Sequence, residues 1–117
     1  MDQSEHETCI FCKIAHQQIS AKMVYEDDQI VAFPDLKPVA PVHLLVIPKK
    51  HIARLSDVMD ADQVIIGRML AVATALAKEQ GIPDFRTVIN CGPGAGQTVF
   101  HLHLHLLGGR PFHWPPG

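Results

Sequence analysis

The amino-acid sequence predicts an α+β fold, with an antiparallel sheet of about five strands and one long helix on one face of the sheet. Two observations favour this class: short β-prone segments are separated by turn residues, and one long segment carries apolar residues at helical spacing. A third is the alternation of apolar residues with histidines in the last β-prone segment, residues 100–107. At 117 residues, the chain is predicted to form a single domain that buries a core without disulfides.

The composition argues against several classes of protein. Hydrophobic residues make up 47% of the chain and charged residues 19%, and the formal net charge is -2. These values argue against disorder and against a basic surface for a nucleic acid polymer. No segment reaches the roughly 18 apolar residues of a membrane span, and residues 1–7 are acidic and polar, unlike a signal peptide. We therefore expect a cytoplasmic protein without a membrane partner, in which residues 1–7 form a short polar extension.

The first predicted elements are a short helix and a hairpin. Thr8 is a candidate N-cap for a helix over residues 9–15. Residues 23–26 and 30–33 are rich in β-forming residues, and the intervening residues 27–29 contain two aspartates. Aspartates favour turns, so this arrangement predicts a β-hairpin.

The β-prone sequence is then interrupted by three prolines, Pro34, Pro38 and Pro41. A central strand cannot continue through them, so Asp35 and Leu36 are predicted to lie at a strand end, where functional sites often form. Residues 42–47 are the next predicted strand. Lys49 and Lys50 follow it, and we interpret them as a solvated strand exit rather than a phosphate clamp.

The long helix is predicted to begin at Asp60, which with Gln63 resembles a capping box. Gly81 and Pro83 are predicted to end it, because glycine adopts the left-handed C-cap conformation and proline cannot continue the helix. The apolar stripe, which we expect to pack in the core, consists of Val64, Ile65, Ile66, Met69, Leu70, Ala73, Leu76 and Ala77.

A strand over residues 85–90 and a glycine-rich bend over residues 92–98 lead into the last predicted strand. Successive side chains of a strand point to opposite faces. One face is therefore predicted to carry His101, His103 and His105. The other face, which belongs in the core, is predicted to carry Phe100, Leu102, Leu104 and Leu106.

Three histidines on one strand face indicate chemistry rather than packing, since histidine is a poor strand former with a near-neutral pKa. The outer two would lie about 13.6 Å apart along the strand, so the three cannot bind one zinc ion. Two uses remain open: a neighbouring pair chelates a metal, or the central His103 is a nucleophile tuned by its neighbours. The backbone N–H groups of the glycine-rich bend suit anionic oxygens, which favours phosphorus chemistry. The sequence lacks a Walker-type lysine loop and a carboxylate cluster, which argues against nucleotide–Mg²⁺ chemistry.

Cysteine usage suggests a metal or redox site before a structural disulfide. Cys9 and Cys12 form a Cys-x-x-Cys pair, which supplies half of a tetrahedral zinc shell. Cys91 stands alone, and we expect it to be a buried, inert thiol.

The segment His101-Leu102-His103-Leu104-His105-Leu106-Leu107 matches the His-x-His-x-His-x-x signature of the histidine triad (HIT) superfamily of nucleotide hydrolases and transferases. Similarity extends over residues 9–14, 24–35, 41–51, 90–96 and 108–117, which is nearly the whole chain. Transferase relatives carry Gln at the third triad position, where this chain has His105. The ending Trp114-Pro115-Pro116-Gly117 is similar to the Hint branch and unlike the Fhit-type dinucleoside polyphosphate hydrolases.

This resemblance implies a purine nucleoside phosphoramidase, which splits the P–N bond of AMP-type phosphoramidates or releases AMP from aminoacyl adenylates. It implies that His103 is the nucleophile, that His105 donates to the phosphate or leaving group, and that His43 completes the proton network. Phosphate contacts are implied for Asn90, Gln97 and Thr98, the last of which stands where serine is common. No catalytic cofactor is implied.

The resemblance also implies the other contacts of a nucleotide and a dimer. Asp35 matches a ribose-binding carboxylate, and the base-pocket positions are Ile10, Phe11, Ile14, Phe33 and Leu36, of which Ile14 is equally well explained as core. Zinc-bearing relatives imply one structural Zn²⁺ held by Cys9, Cys12, His51 and His101. A homodimer is implied, with the sheet extended across it and Trp114 in the tail, residues 108–117, reaching the neighbouring site.

Alternative functions stay open at this point. Within the superfamily they are dinucleoside polyphosphate hydrolysis and nucleotidyl transfer. From another class, the Cys-x-x-Cys pair suggests a zinc-binding nucleotide-binding or signalling module.

Overall fold

The sheet of the protein has five strands, all paired antiparallel, as seen in a computed structural model that describes residues 8–117. The strands are β1 (Tyr25–Glu26), β2 (Ile30–Pro34), β3 (Val42–Pro48), β4 (Phe85–Val88) and β5 (Leu104–Gly108), in the order β1-β2-β3-β5-β4. The helices are α1 (Ile10–Ala15) and α2 (Gln63–Glu79). The predicted α+β class with one long helix is confirmed. The extension predicted for residues 1–7 lies outside the described residues.

Both faces of the sheet are covered, by a different helix on each side. The apolar cluster on the α2 side includes Ile30, Ala32, Leu44, Val46, Met69, Ala73, Leu76, Leu102, Leu104 and Leu106. The cluster on the α1 side is formed by Cys9, Phe11, Cys12, Ile14, Ala15, Val31, Phe33, Leu45 and Ile47. Because β3 is covered on both faces, it is an almost continuous apolar run.

The predicted hairpin is confirmed, with β1 and β2 joined by an aspartate turn. Asp27 Oδ1 accepts hydrogen bonds from the backbone N–H groups of Gln29 (2.7 Å) and Ile30 (2.8 Å). Asp27 Oδ2 accepts from Tyr25 Oη (2.6 Å) and from the Arg68 guanidinium of α2. The turn aspartate therefore also ties the hairpin to the long helix.

Both helices begin differently from the prediction. The N-cap of α1 is Cys9 rather than Thr8, since the Cys9 thiol accepts a hydrogen bond from Cys12 N at 3.2 Å. Asp60 does not cap α2, because a 3₁₀ turn over Asp60–Asp62 precedes the helix. Gly81 ends α2 with a φ of 72°, as its sequence position predicts.

Two side chains of the predicted α2 stripe do not pack in the core. Val64 and Leu70 are 69% and 46% exposed, while Met69, Ala73 and Leu76 are buried. The eight predicted positions spread over more of the helix surface than the sheet covers, so the side chains at the edges of the stripe remain exposed to solvent.

At the predicted solvated strand exit, the Lys50 side chain is exposed as expected and the Lys49 side chain is partly buried, and both lysines form ion pairs. Lys49 Nζ lies 3.0 Å from Glu26 Oε2, and Lys50 Nζ lies 2.6 Å from the buried Asp62 Oδ1. These pairs anchor the end of β3 to the hairpin and to the start of α2.

Strand β5 is shorter than predicted, because it begins at Leu104 and not at Phe100. Residues 100–103 run irregularly out of the glycine-rich bend, and Leu102 N donates to Ile52 O at 2.6 Å. Phe100 is 40% exposed instead of buried, with the Arg54 guanidinium 5.3 Å from its ring centre. Among the described residues, no helix has the length and hydropathy needed to span a membrane.

Candidate active site and metal centre

A cavity of about 620 Å³ lies between α1, the end of β2, the glycine-rich bend and the histidine segment. This volume is in the usual range for small-molecule sites. The predicted site residues that line it are Ile10, Phe11, Ile14, Phe33, Asp35, Leu36, Asn90, Thr98, His103 and His105. The fold therefore collects an apolar end, a carboxylate and two imidazoles in one cavity.

The glycine-rich bend is held by a buried glutamine. Gly92 and Gly96 have φ values of 90° and 96°, which only glycine adopts readily. Gln97 Oε1 accepts from Gly92 N (2.8 Å), and Gln97 Nε2 donates to Ala53 O (2.8 Å) and Val99 O (3.0 Å). Because the Gln97 amide is engaged with the backbone and does not line the cavity, its expected phosphate contact is replaced by a structural role.

The tautomer of His103 follows from its hydrogen bond to the backbone. His103 Nδ1 lies 2.7 Å from His101 O, and a carbonyl oxygen only accepts, so Nδ1 carries a proton. In the neutral ring, Nε2 then holds the free lone pair. The Phe11 ring packs edge-on against the His103 ring, with centroids 5.2 Å apart, and restrains its orientation.

His43 and His105 form a second hydrogen-bonded pair with a defined direction. His43 Nδ1 accepts from Val39 N at 3.1 Å, so the proton of neutral His43 is on Nε2. That N–H points at His105 Nδ1, 2.9 Å away, with Asp35 Oδ2 at 3.3 Å. With Nδ1 accepting, neutral His105 carries its own proton on Nε2, where it is a donor.

Both rings are held in the neutral form. Burial, helped by the neighbouring His103 and His43 rings, lowers the pKa of His105 to about 4, although Asp35 opposes the shift. Burial also lowers the pKa of His43, again against the pull of Asp35. At neutral pH this pair is therefore a chain of directed N–H donors rather than a cation.

Cys9, Cys12, His51 and His101 form a buried cluster in which the four ligand atoms lie within 4.8 Å of one another. Cys9 Sγ and Cys12 Sγ are 3.3 and 3.4 Å from His101 Nδ1, and Cys12 Sγ is 3.0 Å from His51 Nδ1. A tetrahedral zinc ion with ordinary bond lengths separates sulfur and nitrogen by about 3.6 Å. The cluster is thus close to the size that zinc requires.

Two further observations support the fit to a metal. His101 Nε2 lies 2.7 Å from Pro48 O and donates to it, so Nδ1 is free to bind a metal. Burial and the neighbouring Cys9 raise the pKa of Cys12 to about 12, so without a cation this thiol stays protonated. Metal binding would therefore release protons. The Cys₂His₂ donor set could hold a metal such as zinc.

Asp35, His43 and His105 also lie within 4.8 Å of one another, but they suit a metal less well. His43 Nε2 carries a proton because Nδ1 already accepts from Val39. A protonated ring nitrogen cannot bind a metal ion. The outer two histidines of the triad thus belong to different clusters, which confirms that the three do not share one ion.

Comparison with known proteins agrees with this geometry. The family model for the C-terminal binding region of the scavenger mRNA decapping enzyme matches residues 8–111. An uncharacterized HIT-like protein of Synechocystis is 54% identical over 112 residues, covering 95% of this chain and 98% of the relative. The chain belongs to the HIT family.

Solved structures of the HIT family give the same result. A HIT family hydrolase from Legionella pneumophila is 51% identical with a TM-score of 0.91, covering 94% of this chain and 100% of that one. A histidine triad protein from Clostridium difficile is 45% identical with a TM-score of 0.88, covering 97% of both chains. A HIT family hydrolase from Clostridium thermocellum is 42% identical with a TM-score of 0.88, covering 92% of this chain and 95% of the other. Two of these three HIT relatives are described as hydrolases.

Part of the cavity wall was not anticipated. The segment Ile19–Lys22 and Lys37 also line the cavity of this HIT protein, although no motif marks them. Their only sequence signal is proximity to α1 and to Asp35.

One residue, Cys91, is more exposed than expected, while the reach of Trp114 into a neighbouring site stays a prediction. Trp114 is 84% exposed and is not among the residues that line the cavity of its own chain. Cys91 is half-buried rather than buried, and its contact with the Ser56 hydroxyl lowers the pKa of the thiol. The expectation that the thiol is buried is wrong, because the residue lies at the edge of the bend, and its expected inertness stays a prediction.

Proposed function

We propose that the protein is a Hint-branch hydrolase, which cleaves the P–N bond of purine nucleoside phosphoramidates and also acts on aminoacyl adenylates. The observation that carries the proposal is the hydrogen bond from His103 Nδ1 to His101 O, 2.7 Å long. It leaves Nε2 of a cavity-lining imidazole as a nucleophile. His105, Thr98 and Asn90 line the same cavity and supply polar groups for a phosphate.

The reaction proceeds in two displacements at phosphorus. The Nε2 lone pair of His103 attacks the α-phosphorus, the P–N bond breaks, and the amine leaves with that electron pair and with the Nε2 proton of His105. The product is a nucleotidyl-histidine, and the Nδ1–H of His103 stays bonded to His101 O. Water then attacks phosphorus and gives a proton back to His105 Nε2, and the P–N bond to His103 breaks to release the nucleoside monophosphate and free His103.

The surrounding groups orient the substrate and stabilise its charge. His105 Nε2–H donates to a phosphate oxygen or to the leaving group, backed by the N–H of His43. Asp35 accepts from a ribose hydroxyl. The purine lies against the apolar end of the cavity, which is formed by Ile10, Phe11, Ile14, Phe33 and Leu36.

The metal cluster is proposed to have a structural role. When bound, zinc supplies four strong bonds that hold the chain together. Cys9 caps α1 and Cys12 lies within it, while His51 follows β3 and His101 precedes β5. These residues fix α1, and with it Phe11, against the sheet. Every reacting group named above lies in the cavity and needs no metal.

Zinc content tests this role. Protein purified without chelators is expected to hold about one zinc per chain by mass spectrometry, and Cys12→Ser should lose it and melt at lower temperature. Cys91→Ser is the matched control and should keep the metal. Wild-type protein without zinc, with Cys9 and Cys12 freely titratable, would contradict the assignment.

A homodimer is proposed, in which β4 extends the sheet and the tail reaches the neighbouring cavity. Strand β4 is at the edge of the sheet, and Phe85, Val64 and Leu70 leave apolar surface exposed. Trp114, 84% exposed, is a large apolar group left in water in the single chain. Light scattering should give twice the chain mass, and deleting residues 112–117 should alter substrate preference. A monomer at working concentrations would reject the dimer.

A substrate panel tests the proposed reaction. Adenylated amines, aminoacyl adenylates and dinucleoside polyphosphates are assayed side by side, with and without EDTA. We expect the phosphoramidates to be preferred and their turnover to survive EDTA in solution. Preference for dinucleoside polyphosphates would favour the alternative hydrolase. Loss of turnover with chelation and its return with metal, in folded protein, would indicate metal catalysis.

A further inference from the structure

His43 Nε2 is hydrogen-bonded to His105 and has a second potential acceptor, Asp35, close by. His43 Nε2 is 2.9 Å from His105 Nδ1 and 3.3 Å from Asp35 Oδ2. The opposite nitrogen, Nδ1, already accepts from Val39 N. Because Nε2 carries only one hydrogen, a stronger bond to one acceptor weakens the bond to the other.

Asp35 is fixed in place and faces the cavity. Its backbone N–H donates to His43 O at 3.0 Å, and its Oδ1 accepts from Lys37 N at 2.8 Å. The side chain is 22% exposed and lines the cavity. A hydroxyl donor in the cavity can therefore reach a carboxylate whose Oδ2 is already in contact with His43.

His105 depends on the His43 hydrogen bond for its own tautomer. While His43 donates to His105 Nδ1, the proton of neutral His105 is on Nε2. If the His43 N–H turns toward Asp35, nothing in this pair prevents His105 from carrying its proton on Nδ1. The Nε2–H donor would then be lost. Burial lowers the pKa of both rings, and the neighbouring Asp35 carboxylate offsets part of that lowering.

We propose that Asp35 is a positioning residue that couples ribose recognition to His105. A ribose hydroxyl that donates to the Asp35 carboxylate removes the competing acceptor and strengthens the hydrogen bond from His43 to His105, which fixes the Nε2–H of His105 toward the phosphate. This inference rests on the proposed function, because it takes Asp35 as the ribose contact. It goes further in stating that the ribose hydroxyls accelerate the chemical step and do not only strengthen binding.

Kinetics with a modified sugar test the coupling. An adenosine phosphoramidate and its 2′,3′-dideoxy analogue are compared in wild type, Asp35→Ala and the control Asp28→Asn, which removes a carboxylate from an exposed turn position. In wild type and Asp28→Asn, loss of the hydroxyls should lower kcat by about five- to tenfold, the effect of one hydrogen bond, as well as raise KM. In Asp35→Ala, the two substrates should have equal kcat. A purely structural Asp35 would leave the ratio of the two kcat values unchanged.

A second measurement needs no turnover. The ring nitrogens of His105 are followed by ¹⁵N NMR in protein titrated with AMP or with 2′,3′-dideoxy-AMP. The ligand-free geometry already favours the form of His105 with Nε2–H and an accepting Nδ1. AMP should raise the fraction of wild-type His105 in that form, dideoxy-AMP should not, and Asp35→Asn should show the higher fraction without ligand. If the NMR result holds while no phosphoramidate is hydrolysed, the proposed function fails and the coupling stands. Identical shifts with both nucleotides, no shift with AMP, or equal wild-type kcat for the two substrates would overturn the coupling.

Discussion

Replacing His103 with alanine is expected to lower phosphoramidate turnover by about 10⁴-fold or more, because His103 is the group assigned to form the covalent intermediate. Nucleotide binding should persist, since ribose, base and phosphate contacts are assigned to other residues. The variant should also fold, because the hydrogen bond it loses joins His103 to the carbonyl of His101 in an irregular segment. Steady-state rates and calorimetric titration with AMP measure the two effects separately.

The control for this variant is His16→Ala, which removes an exposed imidazole at the end of α1. Its rate should match that of wild type. Loss of both binding and folding in His103→Ala would leave the rate uninformative, so circular dichroism accompanies the assay. Full turnover by folded His103→Ala would contradict the role of nucleophile.

The second large effect is expected for His105→Ala, which should lose about 10²–10⁴-fold in rate, the usual contribution of a general acid. The size of this loss in rate should depend on the leaving group. His105 supplies a donor through Nε2, and an activated leaving group needs little help from such a donor. As the leaving ability of the amine increases, the rate of His105→Ala should therefore approach that of wild type. His103→Ala should stay inactive with every amine. An equal deficit for every leaving group would place His105 in phosphate binding alone.

Much of the fold was predictable because its signals are local. The periodicity of the apolar residues from Val64 to Ala77 and the turn at Asp27 predicted α2 and the hairpin, and both are confirmed. The alternation after Thr98 predicted that the histidines and leucines separate, and they do lie on opposite faces of the sheet. The departures arise from three-dimensional packing. Phe100 and Val64 are apolar, yet they fall beyond the edge of the partner surface and stay exposed.

The sequence predicted which types of residue form the site, but not which of them contact one another. His51 and His101 meet although 50 positions separate them in the chain, and only family resemblance placed them together. Gln97 was expected to contact phosphate, but its amide holds the bend, because a buried glutamine must pair with whatever backbone surrounds it. The direction of the hydrogen bond from His43 to His105 follows from the hydrogen bond that Val39 N donates to His43 Nδ1. The sequence does not reveal that contact.

Trapping the intermediate tests the central claim most directly. Protein is mixed with labelled adenosine phosphoramidate, quenched rapidly under conditions that preserve an acid-labile adduct, digested and mapped by mass spectrometry. The mechanism predicts one adenylyl group on His103, formed before AMP is released and missing in His103→Ala. An adduct on His101 or His105, or steady turnover with no adduct formed at a competent rate, would contradict the covalent mechanism.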